Sequence, residues 1–125
     1  MRDSDLPFGE YIKERREQLG KTLRGFAGEL DISAAYLHDI ENGKRRAPEK
    51  LLGKMAELLG ITETSEIHHL YDLAGVSQNG QHADINNYMN EVPSARAALR
   101  MAKDANYTDE DWQKLIEMIK KNKLR

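Results

Sequence analysis

From Thr22 to Pro48 the chain reads TLRGFAGELDISAAYLHDIENGKRRAP, two short amphipathic segments with almost nothing between them. Apolar residues recur at Leu23, Phe26, Ala27 and Leu30, and again at Ile32, Leu37 and Ile40, the i, i+3, i+4 spacing of one buried helical face. Only Asp31 to Ser33 separates them, too little chain for two helices to lie side by side. Ser33 suits an N-cap, its hydroxyl accepting from backbone N–H groups of the next turn, and Gly43 suits the left-handed residue that ends a helix. The second helix is predicted from about Ala34 to Asn42. Two helices crossing at a tight turn form a helix-turn-helix, and the rest of the chain must supply its support.

The chain has 125 residues, enough for one or two small domains. It contains no cysteine, which excludes disulfides and thiolate metal sites. No apolar run is long enough for a signal peptide or a membrane helix, so the expectation is a soluble cytoplasmic protein with no membrane partner. The net charge of −2 argues against a generally basic coat for nucleic acid, and any DNA contact must rest on the one dense cationic patch, Lys44, Arg45 and Arg46.

A longer pattern surrounds the two helices: Ile12, Arg16, Leu19-Gly20, Thr22, Ala27, Leu30, Ile32-Ser33, Tyr36-Leu37, Ile40-Glu41, Gly43, Arg46 and Pro48. On these residues the region from Phe8 to about Gly75 resembles the five-helix DNA-binding domain of the Cro and phage-repressor type, the XRE family. Asp31 stands where that family usually has glycine at the turn, and it tolerates positive φ better than most residues. The expected fold is all-α: a phage-repressor-like domain over residues 7–75, a linker over 76–82 and a small helical region over 83–125. Met1 to Leu6 is expected to fray.

Within the first domain, helix 1 is predicted from Pro7 or Phe8 to Leu19, with Phe8, Ile12 and Leu19 inward and Arg16 on the same side. An arginine there needs a partner or must snorkel to solvent. The resemblance implies an ion pair with Glu41, locking helix 1 to the recognition helix. Gly25 and Gly28 inside helix 2 each cost about 1 kcal/mol against alanine and are read as close-packing sites. Pro48 is placed in the first turn of helix 4, whose stripe is Leu51, Leu52, Met55, Leu58 and Leu59. Ile67, Leu70, Tyr71 and Leu73 mark a fifth helix ending at Gly75.

The resemblance also implies that Ser33, Ala34, Ala35 and Asp39 face the bases, with Tyr36 and His38 at the groove walls. Alanines can touch thymine methyls, serine can donate or accept, and aspartate can accept from cytosine N4, while shape readout supplies the rest. The alternative for Tyr36 and His38 is ordinary packing or solvation. Lys44, Arg45 and Arg46, side chains and backbone N–H groups together, are placed as phosphate contacts beside the recognition helix, and Thr22 at the start of helix 2 joins them. The alternative there is a solvated loop.

Beyond the polar VSQNGQH stretch the helical pattern returns: Ile85, Tyr88, Met89 and Val92; then Pro93 opening a helix with Ala95, Ala98, Leu99 and Ala102 inward; then Thr108 capping a helix with Trp112, Leu115, Ile116 and Ile119 on one face. So few residues bury little surface alone. The helices are therefore expected to pack on a second subunit through Trp112, Leu115, Ile116 and Ile119, giving a homodimer, or to dock on the first domain. Adjacent His68 and His69 point to different sides of a helix, and Asp109, Glu110 and Asp111 are explained by the helix dipole, so no metal is predicted. No catalytic constellation or cofactor motif is present, and no enzyme activity is expected. Two readings result. One is a repressor on double-stranded DNA, binding an inverted-repeat operator as a dimer. The other is an antitoxin, or a regulator whose C-terminal helices bind a toxin or are cleaved by a regulatory metallopeptidase partner, the stretch 97–101 resembling a helix that such a partner attacks.

Overall fold

Five helix ends in the computed structural model are closed by one device, which explains why so short a chain turns so often. At Gly20, Asp31, Gly43, Gly60 and Asn106 the backbone enters the left-handed region, with φ of 71°, 59°, 76°, 71° and 57°. In each case the left-handed residue donates three residues back and its successor five residues back, as in Gly60 N–H to Glu57 O at 3.2 Å and Ile61 N–H to Ala56 O at 2.9 Å. This pairing satisfies carbonyls that the last helical turn leaves open. The structure describes residues 7–77, 80 and 82–123. All the regular elements among them are helical: α1 (Phe8–Gln18), α2 (Leu23–Glu29), α3 (Ala34–Glu41), α4 (Glu49–Leu58), α5 (Thr64–Ser77), α6 (Ala83–Glu91), α7 (Pro93–Asp104) and α8 (Asp109–Lys123).

The chain divides into two compact units, Met1–Asn86 and Asn87–Arg125. In the first, α1 packs on α3 and α5, α2 on α3, and α4 on α5. Phe8, Tyr11 and Ile12 of α1 meet Phe26, Ala27, Leu37 and Ile40 of the two central helices, and Leu52, Met55, Leu59, Ile61 and Leu70 close the same core. Tyr11 also meets the ring of His69 edge-on, centroids 5.5 Å apart. Outside the core, Arg15 ties α1 to α5 through Glu66 at 3.3 Å.

Several expectations change here. Leu19 is 51% exposed, because it lies one residue past the end of α1 and turns outward as the chain reverses at Gly20. Gly25 and Gly28 are not close-packing sites: a Cβ at Gly28 would meet nothing, and one at Gly25 only the capping hydroxyl of Thr22. Pro48 precedes α4 rather than entering it. Helix α5 runs past Gly75 to Ser77, and the first compact unit extends to Asn86. His82 accounts for part of that extension: its ring lies on Gly75 so closely that a methyl there would overlap it, and its Nδ1 is 3.8 Å from Asp72 Oδ1. Gln78, Asn79 and Gln81 of the expected linker, and Met1 to Leu6, lie outside the described residues.

In the second unit α7 opens at Pro93, where the absent N–H is no loss. Helix α8 is capped by Thr108, whose hydroxyl accepts from Asp111 N–H at 3.2 Å while the Asp111 carboxylate accepts from Thr108 N–H at 3.0 Å. Tyr107 meets Trp112 edge-on, and Ala102 is buried. Trp112 and Leu115 are half-buried, whereas Leu99, Ile116 and Ile119 are exposed.

Candidate nucleic-acid interface

The recognition helix α3 is held from behind before it can present anything in front. Arg16 Nε donates to Glu41 Oε2 at 2.8 Å and Nη2 to Oε1 at 3.0 Å, a two-pronged pair, and Nη1 donates to the carbonyl of Lys21 at 2.8 Å. Both side chains are buried, with 8% and 4% of their surface exposed. The hydrogen bonds to Glu41 push the Arg16 guanidinium above its ordinary value, against the opposing effect of burial. Gly9 completes the grip: a Cβ there would overlap the carbonyls of Ile40 and Glu41, so α1 touches the end of α3 backbone to backbone.

Leu37 and Ile40 face the core, which turns the other side of α3 outward. Ser33 and Ala35 are exposed and Ala34 and Asp39 half-exposed. Ser33 Oγ accepts from Tyr36 N–H at 3.0 Å, so the helix is capped while the hydroxyl hydrogen remains able to donate. Of the four residues expected to face bases, Ser33, Ala34 and Ala35 therefore lie at the start of α3, whereas Asp39 lies towards its end.

Tyr36 and His38 each have structural partners. The Arg45 guanidinium lies over the Tyr36 ring, 4.8 Å from its centroid, a cation–π contact that ties the loop to the helix. Asn42 Nδ2 donates to the His38 carbonyl at 2.8 Å and stands 3.1 Å from His38 Nε2. On the other side of the ring, His38 Nδ1 lies 3.9 Å from Asp39 Oδ1.

Lys44, Arg45 and Arg46 are exposed and follow α3 directly. Their backbone is less available than the sequence suggested. The N–H groups of Lys44 and Arg45 both turn back to the Asp39 carbonyl, at 2.8 and 3.3 Å, so this loop offers side chains to an anion rather than those two amides. Thr22 caps α2 by accepting from Gly25 N–H at 3.0 Å and is exposed at that helix start. Sequence reasoning missed Gly9, the Lys21 carbonyl and the Tyr36–Arg45 stack. None of the three carries a local sequence signal, since each depends on how the chain folds back.

Among the described residues no group of three or more His, Cys, Asp or Glu side chains is placed to hold a metal ion, and no helix is long and apolar enough to cross a membrane.

A helix-turn-helix domain family matches residues 7–70. The chain is 36% identical over 63 residues to a control protein, C.MunI, of a Mycoplasma species, covering 50% of this chain and 85% of that one. It is also 36% identical over 53 residues to an HTH-type transcriptional regulator, DdrOP3, of Deinococcus deserti, covering 42% of this chain and 41% of the relative. No solved structure matches. With α1 to α5 packed around a capped, clamped recognition helix and that family matched over half its length, the chain belongs to the helix-turn-helix family of the XRE type.

Proposed function

We propose that the protein is a sequence-specific regulator of transcription that binds double-stranded DNA, and that it represses by occluding an inverted-repeat operator as a dimer. The observation that carries this reading is the pairing of the outward side of α3, with Ser33, Ala34 and Ala35 at its start and Asp39 towards its end, with the exposed cationic side chains of Lys44 to Arg46 just beyond the same helix. A helix of this size fits the major groove, its first turn reads base edges, and flanking cations neutralise phosphates. The slight net negative charge confines attraction to that face. Two relatives named as a control protein and a transcriptional regulator support regulation rather than catalysis, and a DNA partner is consistent with a cytoplasmic protein.

Each protomer presents one such helix, so a two-fold dimer reads two half-sites about one helical turn, roughly 34–36 Å, or a multiple of that apart. Selection of bound duplexes from a random pool tests this: inverted half-sites at that spacing are expected, whereas recovery without any shared sequence would overturn specific recognition. A second reading, an antitoxin or a regulator whose C-terminal helices bind a toxin or are cut by a metallopeptidase, draws support from Leu99 and Met101, which are 40% and 71% exposed within the 97–101 stretch of α7.

A further inference from the structure

Helix α8 reverses its charge from end to end. Asp109, Glu110 and Asp111 fill its first turn, and Lys120, Lys121 and Lys123 its last. Its apolar stripe runs from Trp112 to Ile119, and the middle of that stripe, between Leu115 and Ile116, is also the middle of the charge pattern. About that point Asp111 mirrors Lys120, Glu110 mirrors Lys121 and Lys114 mirrors Glu117. For these three pairs, reading the helix backwards exchanges acid for base, and it exchanges Trp112 with Ile119 and Leu115 with Ile116, so the stripe stays apolar; Asp109 falls on Asn122, between Lys120 and Lys123.

Such a helix is complementary to an antiparallel copy of itself. A parallel copy would set acid against acid and base against base, whereas an antiparallel one sets each end against its opposite and also opposes the helix dipoles. The contact is isologous, so it closes on two chains. The stripe has surface left to cover: Ile116 and Ile119 are 40% and 59% exposed. Asp109 and Lys120 lie eleven residues apart, about three turns, and so stand on the same flank of the stripe.

We propose that α8 packs antiparallel against α8 of a second copy, in a register centred between Leu115 and Ile116, with Asp109 of each chain facing Lys120 and Lys123 of the other. This rests on the dimer reading above and adds to it the direction and the register. The apolar centre supplies the association and the charged flanks choose the orientation, since exposed pairs are weak individually but like charges in their place repel.

Sedimentation of the full chain tests it with Asp109→Lys alone, Lys120→Glu with Lys123→Glu, and all three changes together. Each charge reversal at one end should weaken dimerisation about tenfold, because two-fold symmetry repeats every pair. The triple variant should return to the wild-type constant, which also separates pairing from any loss of helix stability caused by a lysine in the first turn. Wild-type dimerisation in the reversed-end variants would overturn the antiparallel register. A wild-type chain that stays monomeric at high micromolar concentration would overturn the pairing altogether. A chain that dimerises in this charge-dependent way yet binds no duplex supports the pairing and overturns the DNA-binding reading, so the two fail separately.

Discussion

At Arg16 and Glu41 a buried charge pair replaces what could have been apolar packing, and its value lies in what its loss leaves behind. The pair is two-pronged, and Arg16 spends a third donor on the Lys21 carbonyl. Arg16→Ala or Glu41→Ala should each cost about 3–5 kcal/mol in urea unfolding followed by circular dichroism, because the remaining charge is stranded. Arg16→Met with Glu41→Leu should recover much of that loss. Single variants within about 0.5 kcal/mol of wild type, the range of ordinary surface changes, would show that the pair contributes little. In the loop, the proposed phosphate role of Arg46 predicts that Arg46→Ala weakens specific and nonspecific duplexes by similar factors and lowers the salt slope by about one. A changed base preference with an unchanged slope would reassign Arg46. The Tyr36 ring carries the Arg45 guanidinium. Tyr36→Ala should therefore resemble Arg45→Ala in duplex titrations, the two effects should fall short of additivity when combined, and Tyr36→Phe should retain the stack.

The elements show which local signals were readable. Thr22 and Ser33 cap α2 and α3, and Gly20, Gly43 and Gly60 end α1, α3 and α4, all positions where a residue's own chemistry decides the backbone. Asp31 and Asn106 do the same work with a side chain attached. Asp31→Val should lower stability by about 1–2 kcal/mol, as a β-branched residue resists positive φ, whereas Asp31→Gly should be tolerated; equal midpoints would contradict this. Contacts made after the chain folds back were not legible. Nothing local distinguishes Gly9, pressed against Glu41, from Gly28, which faces open space, and the ring of His82 reaches Gly75 from a stretch that reads as polar linker. The Thr108–Asp111 box gives a pH effect of defined sign. Hydrogen bonds from the Thr108 N–H and hydroxyl hold the Asp111 carboxyl below its ordinary value. Its contribution is therefore present above the unfolded pKa, about 3.9 for aspartate, and is lost as pH falls through the lower folded value. Backbone amide shifts at residues 109–112 should record fraying of the α8 start in acid, and Asp111→Asn should flatten that part of the response.

In the whole molecule, the first compact unit continues beyond Gly75 to Asn86. A chain ending after Asn86 should fold, stay monomeric and bind a half-site weakly, and one ending at Gly75 should melt lower because it lacks the ring of His82 on the α5 backbone. Equal melting temperatures would mean that this contact stabilises nothing. Ala35→Glu should abolish operator binding while leaving the melting temperature close to wild type, since that position is exposed. The clamp on Glu41 has one more consequence, for how such a protein acquires a new target. Gly9 and Arg16 fix the far end of α3, and Leu37 and Ile40 seat it, so its tilt is set by residues that never meet DNA. Ala35 is exposed and takes no part in that seating, whereas Ala34 packs on the core and Ser33 caps the helix. Under the proposed DNA-binding role, substitution on that exposed side can exchange one operator for another while Gly9, Arg16, Leu37 and Ile40 keep the helix in place.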